Sequence, residues 1–155
     1  MPDRRRTERS ARLRKLVDIA SAEEKRFGQS AGRLRAELDA QANQLGELNA
    51  YRQAYADRSR SMTAGSAVHW QDYQSFLARL DQAVSAQKQI VKDAEEAADA
   101  ARRRWIGKRR RLESLNKVWT RFYEEERIAR ERIEQKQLDD LPGVRTGFND
   151  GSDDP

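Results

Sequence analysis

Reading the chain in alternating steps of four and three residues from Leu13 visits Leu13, Val17, Ala20, Glu24, Phe27, Ala31, Leu34, Leu38, Gln41, Leu45, Leu48, Arg52 and Tyr55. Only Glu24, Gln41 and Arg52 break the apolar pattern. The same walk from Tyr73 passes Leu77, Leu80, Val84, Gln87, Val91, Ala94, Ala98, Ala101, Trp105, Lys108, Leu112, Leu115, Trp119, Phe122, Glu126, Ala129 and Ile133, where the polar positions are Gln87, Lys108 and Glu126. A period of 3.5 residues sustained this long, with no proline between Pro2 and Pro142, predicts two long helices that each bury one narrow stripe in a coiled coil.

Between the two stripes, residues 59–66 carry Gly65 with Ser and Thr neighbours, the composition of a turn, and Ser66 is placed to cap the second helix. So short a connection makes the helices antiparallel neighbours. The expected fold is all-α: a long two-helix antiparallel coiled-coil hairpin over 8–138, with a C-terminal helical overhang. Helix 1 runs over about 8–58, the turn over about 59–66 and helix 2 over about 67–138, roughly 75 and 105 Å of helix. Residues 1–7 are expected to form a flexible basic arm, and 139–155, with its Pro, Gly and Asp, a disordered tail.

Centring the turn near Ala64 makes facing residue numbers add to about 128, which sets Leu48 against Leu80, Leu38 against Val91, Phe27 against Ala101 and Leu13 against Leu115. Gln41 then falls opposite Gln87, and Glu24 comes within a helical turn of Lys108. Polar seam residues that meet across the pair can satisfy each other, and they are expected to fix register more than to add stability. Helix 1 runs out near residue 10, opposite Trp119, which leaves Phe122, Ile128 and Ile133 as an apolar stripe with no intramolecular partner. A second protein, the folded-back N-terminal arm, or simple fraying would each account for it.

Composition narrows the function more than it changes the fold. With 37% charged and 37% hydrophobic residues in 155, the chain has too little apolar matter for a multilayer core. It has no Cys, so disulfides and thiolate metal sites are excluded, and no apolar run or leader of the kind a membrane span or a cleaved signal needs. The net charge of +5 comes from 31 basic residues interspersed with 26 acidic ones, a modest field.

Catalysis needs convergent groups in a sheltered pocket, and a two-helix hairpin offers little concavity. His69 is the single histidine, Glu95–Glu96 and Glu124–Glu126 are sequence neighbours that splay around a helix as solvated faces, and no Gly-rich phosphate loop is present. A non-enzyme without metal or cofactor is expected. The basic run RRRWIGKRRR at 102–111 could meet phosphates or an acidic protein surface, or serve as a solvated face. Because Trp105, Lys108 and Leu112 carry the seam straight through it, it does not resemble the basic block that extends beyond a zipper, and nucleic acid is not the expected partner.

The aromatic residues are concentrated beside the turn. Tyr55 and Tyr73 fit the seam, whereas Tyr51 and Phe76 lie one residue off it and, with Gln44, Leu48, Leu80 and Ala83, make a second stripe that a thin hairpin cannot bury against itself. That flank reads as a docking surface with aromatic anchors. The order Leu48, Tyr51, Arg52, Tyr55, a Gly-containing turn, then Trp70, Tyr73, Phe76, Leu80 and Ala83, followed by Trp105, Lys108 and Leu112, resembles the flagellar FliJ family over about residues 10–137. Stalk proteins of the injectisome export machinery are the next closest pattern.

The resemblance implies a small, non-catalytic component of the flagellar type III protein export apparatus, cytoplasmic and peripherally associated with the flagellar base at the inner membrane. It implies a stalk and adaptor, monomeric when free, that inserts its terminal end into the export ATPase hexamer, touches the cytoplasmic linker of the export-gate membrane protein, and escorts export chaperones. Carried onto this chain, the gate-contacting residues would be Gln44, Leu48, Tyr51, Tyr55, Phe76, Leu80 and Ala83, with Gln87 standing where some members have His. The ring end would include Leu13, Trp119, Phe122, Ile128 and Ile133. A basic coiled-coil nucleic-acid binder and a self-associating structural coiled coil are the alternatives from other classes.

Overall fold

The computed structural model describes residues 3–61 and 67–142, which form two helices, α1 (Asp3–Ser61) and α2 (Ala67–Asp139). Ala, Leu, Arg, Glu and Gln dominate both, all strong helix formers, and no proline interrupts either. Arg58 and Arg60 in the last turn of α1 suit the negative end of its dipole. At the end of α2, Asp140 N donates to Lys136 O (3.1 Å) and Leu141 N to Leu138 O (3.3 Å), a tightened last turn that Pro142 cannot continue.

The helices pair as an all-α hairpin whose contacts divide the chain into two units. The turn-side unit is Ala22–Arg110; the terminal unit combines Met1–Ser21 with Arg111–Pro155. In the turn-side unit Glu24 meets Trp105, Gln41 meets Gln87, Arg52 meets Asp81 and Ser59 meets Tyr73, so partners descend along α2 as positions ascend along α1. That progression makes the pair antiparallel. Its buried apolar residues are Leu80, Val84, Val91, Ala98 and Ala101, at seam positions of the four-three walk. In the terminal unit Val17 and Ala20 are buried, and the Arg14 guanidinium lies 5.0 Å from the Trp119 ring centre.

Several boundaries differ from the sequence expectation. α1 is helical from Asp3, so the arm expected over 1–7 belongs to the helix from that residue on; its Arg and Glu residues favour helix and nothing there breaks it. Phe122, expected to have no intramolecular partner, is half-buried and shares a cavity wall with Arg9. Ser59–Ser61 continue α1 where the turn was placed. Residues 62–66, including Ala64 and the expected cap Ser66, lie outside the described residues, as does the expected tail from 143 on. Glu126, grouped by sequence with a solvated acidic face, is buried, because it holds a seam position one helical turn after Phe122.

Candidate functional site

Two polar interruptions of the turn-side seam are resolved by cross-helix bonds. Gln87, only 6% exposed, donates from Nε2 to Gln41 Oε1 (2.7 Å) and to the Gln41 backbone carbonyl (3.0 Å). The Gln41 amide is itself oriented, since its Nε2 donates to Glu37 Oε1 (2.8 Å) and so turns its oxygen toward Gln87. Lys108 does not pair with Glu24. Its Nζ donates to Glu23 Oε2 (2.9 Å) and sits 5.0 Å from the Phe27 ring centre, whereas Glu24 Oε1 accepts from Trp105 Nε1 (2.9 Å). Counting seam positions alone selects Glu24; the four-carbon stem of Lys108 reaches its neighbour on the flank instead.

The Trp105 indole fills the space beside Gly28. A Cβ built there would lie 2.9 Å from Trp105 Nε1 and 3.3 Å from its Cδ1, so any larger residue would force the ring to shift. No sequence signal singles out Gly28 from Gly32, where an added Cβ meets nothing within 4 Å.

Nearer the turn the aromatic side chains form a connected set. Tyr55 stacks on Tyr73 with centres 5.1 Å apart, Tyr73 stacks on Trp70 (5.6 Å), and Phe76 lies tilted against Tyr55 (4.6 Å). Tyr51 meets Phe76 edge-on at 6.4 Å. The Ser59 hydroxyl donates to Ala56 O (2.7 Å) and shares a 2.7 Å hydrogen bond with the Tyr73 hydroxyl, which ties α1 to α2 at the last turn before the connection. Just behind, Arg52 Nε bonds Asp81, and this bond holds the Arg52 guanidinium still further above its ordinary range.

Of the flank residues, Leu80 is buried, Leu48, Tyr55, Phe76 and Ala83 are half-buried, and Gln44 and Tyr51 are exposed. Tyr51 is 54% exposed although its ring is pinned against Phe76. The spacings 44, 48, 51, 55 and 76, 80, 83 set these residues on one face of each helix. Of the terminal residues singled out by sequence, Leu13, Trp119 and Phe122 are half-buried, and Ile128 and Ile133 are exposed. Trp119 stacks on Tyr123 at 5.3 Å. Among the described residues no group of three or more His, Cys, Asp or Glu could hold a metal, and no helix is long and apolar enough to cross a membrane.

An antiparallel pair with an aromatic cluster beside its turn is a pattern that comparison with known proteins can test. The family model described as "Flagellar FliJ protein" matches residues 9–146, most of the chain. The chain belongs to the flagellar FliJ family. A curated relative, the Flagellar FliJ protein of Escherichia coli (strain K12), is 27% identical over 131 residues, covering 83% of this chain and 89% of that protein. No solved structure matches significantly. FliJ proteins are non-catalytic components of the flagellar export apparatus.

Proposed function

We propose that this FliJ-family chain is a stalk and adaptor that links the export ATPase hexamer to the cytoplasmic linker of the export-gate membrane protein and escorts export chaperones. It works in the cytoplasm at the flagellar base and is monomeric when free. The observation that carries the gate-binding half is the flank of Tyr51, Tyr55 and Phe76. Tyr51 is more than half exposed while its ring is held edge-on to Phe76, and Phe76 is held by Tyr55, itself locked between the helices. Aromatic rings fixed in this way offer area to a partner with little ordering entropy left to lose. Gln44, Leu48, Leu80 and Ala83 extend the same face.

The terminal unit supplies the ATPase-facing half through Leu13, Trp119, Phe122, Ile128 and Ile133. Helical contacts that fit some conformations of the ring's subunits better than others would bias their populations without any hydrolytic group on this chain. The test is a pair of measurements on purified proteins. Tyr51→Ala with Phe76→Ala should cut binding to the gate linker at least tenfold, with the circular dichroism of the hairpin retained and stimulation of the export ATPase unchanged. Wild-type affinity for the linker in that variant would remove this face from the reading.

A further inference from the structure

Among the described residues, Glu126, at 6% exposed, is the one buried polar residue of the terminal unit, and its Oε1 has no hydrogen-bond partner. A carboxyl oxygen withdrawn from water without a donor is costly, so its surroundings call for an explanation. Two of the three α2 cations that flank it, Arg121 and Arg127, are engaged by other carboxylates, and the third, Arg130, one helical turn on, does not bond the orphaned oxygen. Arg121 Nε lies 3.5 Å from Glu125 Oε1, and Arg127 binds Glu124 (2.9 Å) and Glu131 (2.8 Å), with the hydrogen bond to Glu124 pushing its guanidinium above the ordinary range. Glu126 is thus left out of a charge network that satisfies its neighbours. It forms part of the wall of a 360 Å³ cavity together with Arg9, Phe122 and Glu125, and Arg9 does not bond the orphaned oxygen.

We propose that Glu126 is a receptor for a cationic side chain, an Arg or Lys of the protein that docks on the terminal unit. The described wall sets two carboxyls, Glu126 and Glu125, against one cation, Arg9, so it has acceptor capacity for a second cation, and the Phe122 ring can take that group's stem or guanidinium face. Exposed Tyr123, Ile128 and Ile133 on the same stretch of α2 supply apolar area around it. The free protein carries the cost of an unsatisfied buried carboxyl oxygen, and the partner's cation removes it on binding. This inference rests on the reading that the terminal unit meets the export ATPase, and it adds the chemistry of the contact.

The experiment compares wild type, Glu126→Gln and Glu126→Leu as full chains, measuring thermal unfolding alone and affinity for the purified export ATPase of the same organism. Glu126→Gln keeps the shape and removes the charge, and Glu126→Leu continues the apolar seam. Both should melt at or above the wild-type temperature, and both should bind the ATPase about 30-fold or more weakly, as loss of one member of a desolvated charge pair does. Wild-type affinity in both variants would overturn the proposal and leave the ATPase reading standing. A lower melting temperature for Glu126→Gln would overturn it too, because Glu126 would then be satisfied within the chain, by Arg9 or its neighbours. Wild type failing to bind the ATPase at all would sink the underlying reading and the receptor with it.

Discussion

The turn-side and terminal units are built from the same two helices and the same four-three pattern, yet they use it differently. In the turn-side unit the buried polar residue, Gln87, has two cross-helix acceptors; in the terminal unit the buried polar residue, Glu126, has an oxygen with none. Most of the buried apolar side chains belong to the first; of the exposed large hydrophobic ones, Tyr51, Trp70 and Ile90 belong to the first and Leu16, Ile19, Val118, Tyr123, Ile128, Ile133, Leu138 and Leu141 to the second. The seam of the turn-side unit is satisfied across the helices, and the terminal unit leaves more apolar surface and one buried acceptor unmatched among the described residues. Local opening is drawn from the less satisfied region, so the terminal unit is expected to open first.

Truncating one apolar side chain in each unit should give the largest difference. Leu80 is 8% exposed in the turn-side seam, so Leu80→Ala should cost about 2–5 kcal/mol, read from denaturant unfolding followed by circular dichroism. Ile133 is 44% exposed, and Ile133→Ala should change stability by no more than about 0.5 kcal/mol. Equal losses would mean that the terminal unit is as tightly completed as the other.

A smaller effect concerns the glutamines. Gln87→Leu alone strands the oriented Gln41 amide against an apolar neighbour and should cost about 1–2 kcal/mol. Replacing Gln41 and Gln87 together by Leu should restore or raise the melting temperature but loosen the register. Spin labels at Leu34 and Ala94 should then report a broader distance distribution than in wild type. A double variant that melts far below wild type would show that the pair supplies stability rather than alignment.

The seam itself is legible in the sequence, because apolar spacing at 3.5 residues is a long-range signal that single exceptions cannot erase. Counting back from the turn places Gln41 opposite Gln87 for the same reason. What escapes such counting depends on side-chain reach and on shape. Lys108 selects Glu23 over Glu24 by the swing of a flexible stem, and Trp105 uses the freed Glu24 carboxylate. The start of α1 at Asp3 escapes because the first turns of a charged helix show no cap that the pattern would betray. Burial of Glu126 escapes as well: it holds a seam position in a cavity wall shared with Arg9, whereas three successive glutamates read alone look like a solvated face. On the candidate gate face, the off-seam positions of Tyr51 and Phe76 can be read from spacing, but their edge-on contact cannot.

The smallest effect marks how far the close fit of the turn-side unit extends, and two glycines one helical turn apart measure it. Each lies inside α1, where Gly is about 1 kcal/mol less favourable than Ala. At Gly32 the new methyl enters open space, so Gly32→Ala should gain most of that amount. At Gly28 the same backbone gain is opposed, because the methyl would meet the Trp105 ring at 2.9 Å and the ring is tethered through Nε1 to Glu24. A tethered indole cannot swing aside as the end of a lysine could, so Gly28→Ala should be neutral or destabilising despite the better helix propensity. Indole fluorescence distinguishes the outcomes: Gly28→Ala should shift the Trp105 signal, isolated by changing Trp70 and Trp119 to Phe, and Gly32→Ala should leave it in place. If both variants gain stability equally, the indole is free to move, and the turn-side unit is less tightly fitted than its cross-helix bonds imply.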